Sequence, residues 1–173
     1  TPCGTLFPYT TLFRSAEAII ICANTPHMSV DYVAPKIGIP FLHIAHATAN
    51  EAKRLGLRKL GLLGNRPTMT GNFISGEIER KFGLEIIIPD NESAIDRSHH
   101  FVSEELTQGT FSEVARDFYL HEMNAMKSRG ADGIILGCTE LPILLRDVEY
   151  DLPLLSTTHL HAQMALDFIL NED

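Results

Sequence analysis

The chain has 173 residues, room for one ordinary domain or two small α/β lobes. Its 45% apolar and 21% charged residues exclude wholesale disorder. Fourteen Lys and Arg against 22 Asp and Glu leave a net charge of −8, the wrong sign for nucleic acid or an anionic membrane surface as main partner. No apolar run reaches the roughly 20 residues of a membrane-spanning helix. Three cysteines do not build a secreted disulfide framework, so a cytoplasmic, acidic α/β protein is expected.

The opening stretch shows neither helical nor strand periodicity. Thr5 to Ser15, TLFPYTTLFRS, matches in frame the translation of a common sequencing-library adapter. Residues 1–15 are therefore set aside as a non-native, adapter-like segment, and the protein proper is expected to begin near Ala16 as an N-terminal truncation.

From Ala16 the chain alternates strands and helices. AEAIIICAN (16–24) reads as a strand buried on both faces. Asn24 or Thr25 then caps a helix with Pro26 in its first turn, which Pro35 must end or kink. FLHIA (41–45) is the second strand, followed by a helix over Thr48–Leu55 that Gly56 closes. KLGLLGN (59–65) is the third strand, then a polar loop, RPTMTG, a helix near Asn72–Phe82 and a strand, LEIIIPD (84–90).

Residues 91–107 read as loop and helix, with His99 and His100 in a solvated loop, and Phe111–Arg129 as a long amphipathic helix ending at Gly130. GIILGC (133–138), a helix LPILLRD capped by Thr139, the strand LPLLST (152–157) and a last helix, HLHAQMALDFIL, complete the chain. This order predicts parallel sheet with right-handed crossovers and ligands at the carboxyl ends of strands. Two Rossmann-like lobes with a cleft between them are expected, one over 55–149 and an incomplete first lobe from 16–54 and 150–173.

Two strand-to-helix junctions echo each other without a gap, IIICANTPH (19–27) and IILGCTELP (134–142), placing Cys138 opposite Ala23 and Cys22 opposite Gly137. Facing each other across a cleft, such junctions aim helix N-terminal N–H groups at a carboxylate. Asn24, Thr25 and Thr139 are the candidate carboxylate binders, and Thr139 and Glu140 also cap and charge a helix start. Thr68 follows the carboxyl end of a strand and is a candidate substrate contact.

ANTPH and GADGIILGCTELPILL resemble the two active-site motifs of the aspartate/glutamate racemase family, written CNTxH and GCTE. KLGLLGNRPTM, EELTQGTF and LPLLSTTHLHAQMAL are similar to other segments of that family in the same order. The resemblance runs from Ala16 to the C-terminus. It implies a cofactor-independent amino-acid racemase, commonly a homodimer, in which two thiols on opposite faces of the α-carbon act as base and acid. A thiol suits this work because its free pKa near 8.5 lies close to neutrality and a helix N-terminus lowers it. Cys138 stands at the second thiol position.

Ala23 stands at the first, and a methyl group transfers no proton. Cys22 is one residue away, which on an extended strand turns its side chain to the opposite face. It is either a substitute thiol at a bent strand end or a buried core cysteine. Asn65 and Ser156 replace a threonine and an aspartate of the family pattern. A one-base relative, such as a decarboxylase or isomerase, and a non-catalytic small-carboxylate binder are the alternatives. His27 and His161 are possible cleft residues, whereas His43 with His46 and His159 with His161 match no common zinc spacing, so no metal is expected. The glycines of GLLGN form no dinucleotide-binding pattern.

Overall fold

The computed structural model describes residues 16–170; the adapter-like reading of residues 1–15 lies outside them. Four strands form a parallel sheet: β3 (Lys59–Leu63), β4 (Glu85–Ile87), β5 (Gly133–Leu136) and β6 (Leu154–Ser156), in the order β4-β3-β5-β6. A second parallel pair joins β1 (Ile19–Ile20) to β2 (Phe41–Leu42), with Ile19 opposite Phe41. The α/β architecture with parallel sheet is thus as expected, but β6 hydrogen-bonds to β5. Residues 154–156 therefore extend the sheet of the 55–149 unit instead of the β1–β2 pair.

Both faces of the larger sheet are buried, which explains the unbroken apolar runs of its central strands. Leu60, Leu62 and Ile135 point to one side, where α2 (Ile44–Arg54) and α4 (Ser75–Phe82) pack. Leu63, Ile134 and Leu136 point to the other, against α5 (Glu92–His100) and α6 (Glu113–Ser128). Each of these leucines and isoleucines is at most 3% exposed, a burial that stabilises by about 1.5–3 kcal/mol per side chain. The last helix, α8 (Thr157–Leu170), lies against α2. No helix among the described residues is long and apolar enough to cross a membrane.

Several boundaries differ from the sequence reading, each for a local reason. The strand expected over 16–24 is reduced to Ile19–Ile20, and the helix after it is a 3₁₀ turn (Thr25–Ser29), α1 (Val30–Val33) and another 3₁₀ turn containing Pro35 (Ala34–Lys36). α2 starts at Ile44, not Thr48, because His43 caps it: its Nδ1 accepts from Ala45 N–H at 3.1 Å. The loop RPTMTG is instead α3 (Arg66–Thr70), capped by Asn65 Oδ1 on Thr68 N–H at 3.0 Å. His99 and His100 lie in α5, which runs into a π-helical turn (Phe101–Glu105) and a 3₁₀ turn (Leu106–Gln108), not in a solvated loop.

Thr139 caps nothing either: α7 (Leu141–Leu144) has Glu140 at its N-cap position without a side-chain cap bond. Gly137 N–H donates to Leu63 O at 2.7 Å, and a Cβ on Gly137 would lie 2.7 Å from that oxygen. Only glycine lets the β3 and β5 exits run this close. Gly137→Ala is expected to destabilise the fold by about 1–3 kcal/mol in urea unfolding; an unchanged midpoint would contradict this packing.

Candidate active site

The carboxyl ends of β1, β3 and β5 converge on a cavity of about 210 Å³. Ala23, Asn24 and Thr25 line it together with Cys138, Thr139 and Glu140. Asn65, at the end of β3, joins them, as do Val102 and Thr107 from the π and 3₁₀ turns after α5. The two junctions that echo each other in sequence thus meet in one cavity. Parallel strands that end together place their following loops together.

Cys138 is 7% exposed and its thiol donates to Glu140 Oε2 at 2.9 Å. Burial, and then this carboxylate, push the thiol pKa up to about 12, although the backbone N–H groups of Glu140 and Leu141 pull it down. Burial disfavours an ionised Glu140, but the hydrogen bonds it accepts from Cys138 and Thr139 prevail and hold its pKa below the ordinary carboxylate value. The proton therefore rests on sulfur, and the closed pair is a neutral thiol beside a carboxylate.

In the same cavity lining, Asn24 is fixed by a chain of donors. Thr157 Oγ1 donates to Leu136 O at 3.0 Å, so it accepts from Asn24 Nδ2, also at 3.0 Å. That fixes the orientation of the amide and leaves Asn24 Oδ1 buried and without a partner among the described residues. Such an orphan acceptor is costly unless something fills it. Thr25 Oγ1 accepts from Asn65 Nδ2 at 3.0 Å and lies 3.2 Å from Thr68 Oγ1. Neither Asn24 nor Thr25 makes a side-chain cap on the following 3₁₀ turn.

Thr68 is buried and meets Thr25 without lining the cavity. His27 and His161 also lie outside it: His161 Nε2 donates to Leu42 O at 2.6 Å, and His27 contacts Ala23 O and Ile44 N. Cys22 is exposed and lines a different cavity with Ile44, Thr158 and His161, so it is neither a core cysteine nor a partner across from Cys138. Asn65, Val102 and Thr107 were not singled out as site residues. Asn65 was visible as a departure after GLLG, and Thr107 as part of EELTQGTF; Val102 carried no signal.

Beside the site sits a histidine cluster: ring centroids are 4.6 Å apart for His27–His43 and 5.1 Å for His43–His46. No group of three or more His, Cys, Asp or Glu among the described residues is arranged to hold a metal ion. Burial, with repulsion from His27 and His46, lowers the His43 pKa to about 3. Unfolding lets His43 charge near its ordinary 6.5, so the stabilising effect of keeping it neutral is complete above pH 6.5. It is lost as pH falls towards 3, at most about 5 kcal/mol at about 1.4 kcal/mol per unit. His43→Asn keeps a cap-forming oxygen on α2 and does not titrate, so its Tm should fall less between pH 7 and pH 5 than that of the wild type. Parallel Tm profiles would contradict the buried, neutral His43.

A family model described as Asp/Glu/Hydantoin racemase matches residues 11–165. The chain is 26% identical over 136 residues to a glutamate racemase from Hydrogenobaculum sp. (strain Y04AAS1), covering 78% of this chain and 50% of that protein. It thus spans about half the length of this curated relative. A crystallised candidate Asp/Glu racemase from Yersinia pestis superposes with a TM-score of 0.87 at 37% identity, over 94% of this chain and 70% of that one. An aspartate racemase homologue from Pyrococcus horikoshii OT3 gives 0.81 at 30% identity, over 94% and 71%. The matched family, the α/β fold and the meeting of the two junction motifs agree: the chain belongs to the Asp/Glu/Hydantoin racemase family.

Proposed function

We propose that this chain exchanges the α-proton of a small amino acid by thiol chemistry at Cys138, on one face of the substrate. The observation that carries the reading is that Cys138 lines one cavity with Ala23, Asn24 and Thr25. The substrate carboxylate is held by the hydroxyl and backbone N–H groups of Thr25 and Thr139. The α-ammonium donates to Asn24 Oδ1 and Glu140, filling the orphan acceptor. Its positive charge offsets the carboxylate that holds the thiol protonated and lowers the thiol pKa. The thiol first loses its proton to water, and the thiolate then takes the α-hydrogen, leaving a carbanion delocalised into the carboxylate, which the N–H groups stabilise. Return of a proton from the same sulfur restores the same enantiomer.

The test is incubation of single enantiomers in D₂O, followed by NMR and chiral chromatography. One enantiomer is expected to gain deuterium at Cα with its configuration retained. Binding shown by a raised Tm, with no deuterium incorporation at any pH, would instead leave a non-catalytic carboxylate binder. A second reading is favoured by the resting state of the thiol. A protonated Cys138 facing an alanine suits delivery of one proton to a carbanion formed by loss of CO₂, and CO₂ release from substituted malonates would identify it.

A further inference from the structure

His27 lies outside the cavity and touches both the lining segment and the start of α2. Its Nδ1 is 2.8 Å from Ala23 O, and its Nε2 accepts from Ile44 N–H at 3.2 Å. An acceptor nitrogen carries no proton, so the second contact fixes the tautomer: Nδ1 bears the hydrogen and donates it to Ala23 O. The imidazole thus ties the exit of β1 to the first residue of α2. The segment it holds is short, and besides His27 it is tied through the side chains of Asn24 to Thr157 and of Thr25 to Asn65. β1 has two residues, and the following turn closes on Ala23 N–H to Ile21 O at 2.8 Å and His27 N–H to Asn24 O at 3.0 Å.

We propose that His27 is a positioning residue, which in its neutral, Nδ1-protonated form clamps the Ala23–Thr25 segment against α2 and so sets the substrate opposite Cys138. The assignment rests on the reading of the Cys138 cavity given above. It also gives the site a pH sensor. A second proton on His27 sets an Nε2–H donor against the Ile44 N–H donor, and the clamp opens.

The groups facing the ring are mixed in sign. His43 and His46 come from α2 and His161 from α8. Asp31, Glu77 and Arg80 share a cavity of about 110 Å³ with it, and Lys81 pairs with Glu77. Burial first, then repulsion from His161 and His46, outweigh the hydrogen bonds to the backbone and lower the His27 pKa from its ordinary 6.5. The clamp therefore holds at neutral pH and opens only in acid.

Two measurements test the proposal together. Imidazole ¹⁵N spectra of the labelled chain should show His27 with a bare Nε2 and a protonated Nδ1. The logarithm of the α-deuterium exchange rate should rise with slope one above the His27 pKa, tracking the thiolate, and with slope two below it. His27→Gln keeps a donor and an acceptor without titrating, and is expected to retain slope one throughout. His43→Asn should leave the slope-two limb intact. His27→Ala should lose roughly 10- to 100-fold in kcat/KM, mostly through KM, with His27→Gln recovering most of it.

An Nε2–H tautomer, or a slope-two limb that persists in His27→Gln, overturns the positioning role while leaving Cys138 chemistry standing. Absence of exchange in the wild-type chain, with the expected tautomer present, overturns the site reading and the positioning role with it.

Discussion

Replacing Ala23 by cysteine is expected to turn a chain that exchanges one enantiomer into one that interconverts both. Ala23 lines the same cavity as Cys138, and the open space of about 210 Å³ accommodates a CH₂–SH side chain. A proton delivered from that side to the planar carbanion inverts the α-carbon, whereas Cys138 alone can only return it where it was taken. A positioned acid or base contributes about 10²–10⁴-fold, so racemisation in Ala23→Cys should exceed any wild-type background by that order. Circular dichroism of a single enantiomer over time reads it directly. Unchanged optical activity alongside continued deuterium exchange would mean that position 23 does not face the α-carbon.

Removing the charge at Glu140 should have the second largest effect. The thiol of Cys138 is held protonated first by burial and then by the Glu140 carboxylate that accepts its hydrogen bond. Glu140→Gln keeps the shape and the acceptor but not the charge, so the thiol pKa falls from about 12 while remaining raised by burial. Each unit of fall gives about ten times more thiolate at pH 8. In a Cys3→Ser, Cys22→Ser background, alkylation of Cys138 by iodoacetamide should therefore accelerate roughly ten-fold or more. Slower alkylation would show that the carboxylate activates the sulfur.

Much of this site was legible because it lies on one long apolar strand and one short motif. GIILGC reads as a buried strand followed by a thiol, and β5 with Cys138 at its exit follows from that pattern alone. The echo with IIICANTPH pointed to a second segment lining the same cavity, because each segment leaves a strand at its carboxyl end. What the sequence hid was set by tertiary contacts. Histidine is an uncommon helix cap, so the start of α2 at Ile44 depended on His43 turning its Nδ1 back to Ala45. Asn65 looked like a substituted loop residue, yet it begins α3 and braces Thr25.

Cys22 was one residue from the position where the family resemblance places a thiol. The chain bends there, with Ala23 N–H on Ile21 O at 2.8 Å, and Cys22 lies in another cavity and in solvent. The pairing of β6 with β5 was unreadable for a further reason: an apolar run announces a strand but not its neighbour. His27 showed only as a histidine after a proline, and its two hydrogen bonds reach four residues back and 17 forward.

The central claim is that Cys138 moves the α-proton. Its most direct measurement is α-hydrogen exchange in D₂O, by ¹H NMR, for the wild-type chain and Cys138→Ala over the same panel of single enantiomers. The account predicts exchange with retained configuration in the wild type and a loss of at least about 10²-fold in the variant, with the fold intact by circular dichroism. Equal exchange in the two proteins would contradict it, and the chemistry would have to be sought at another group.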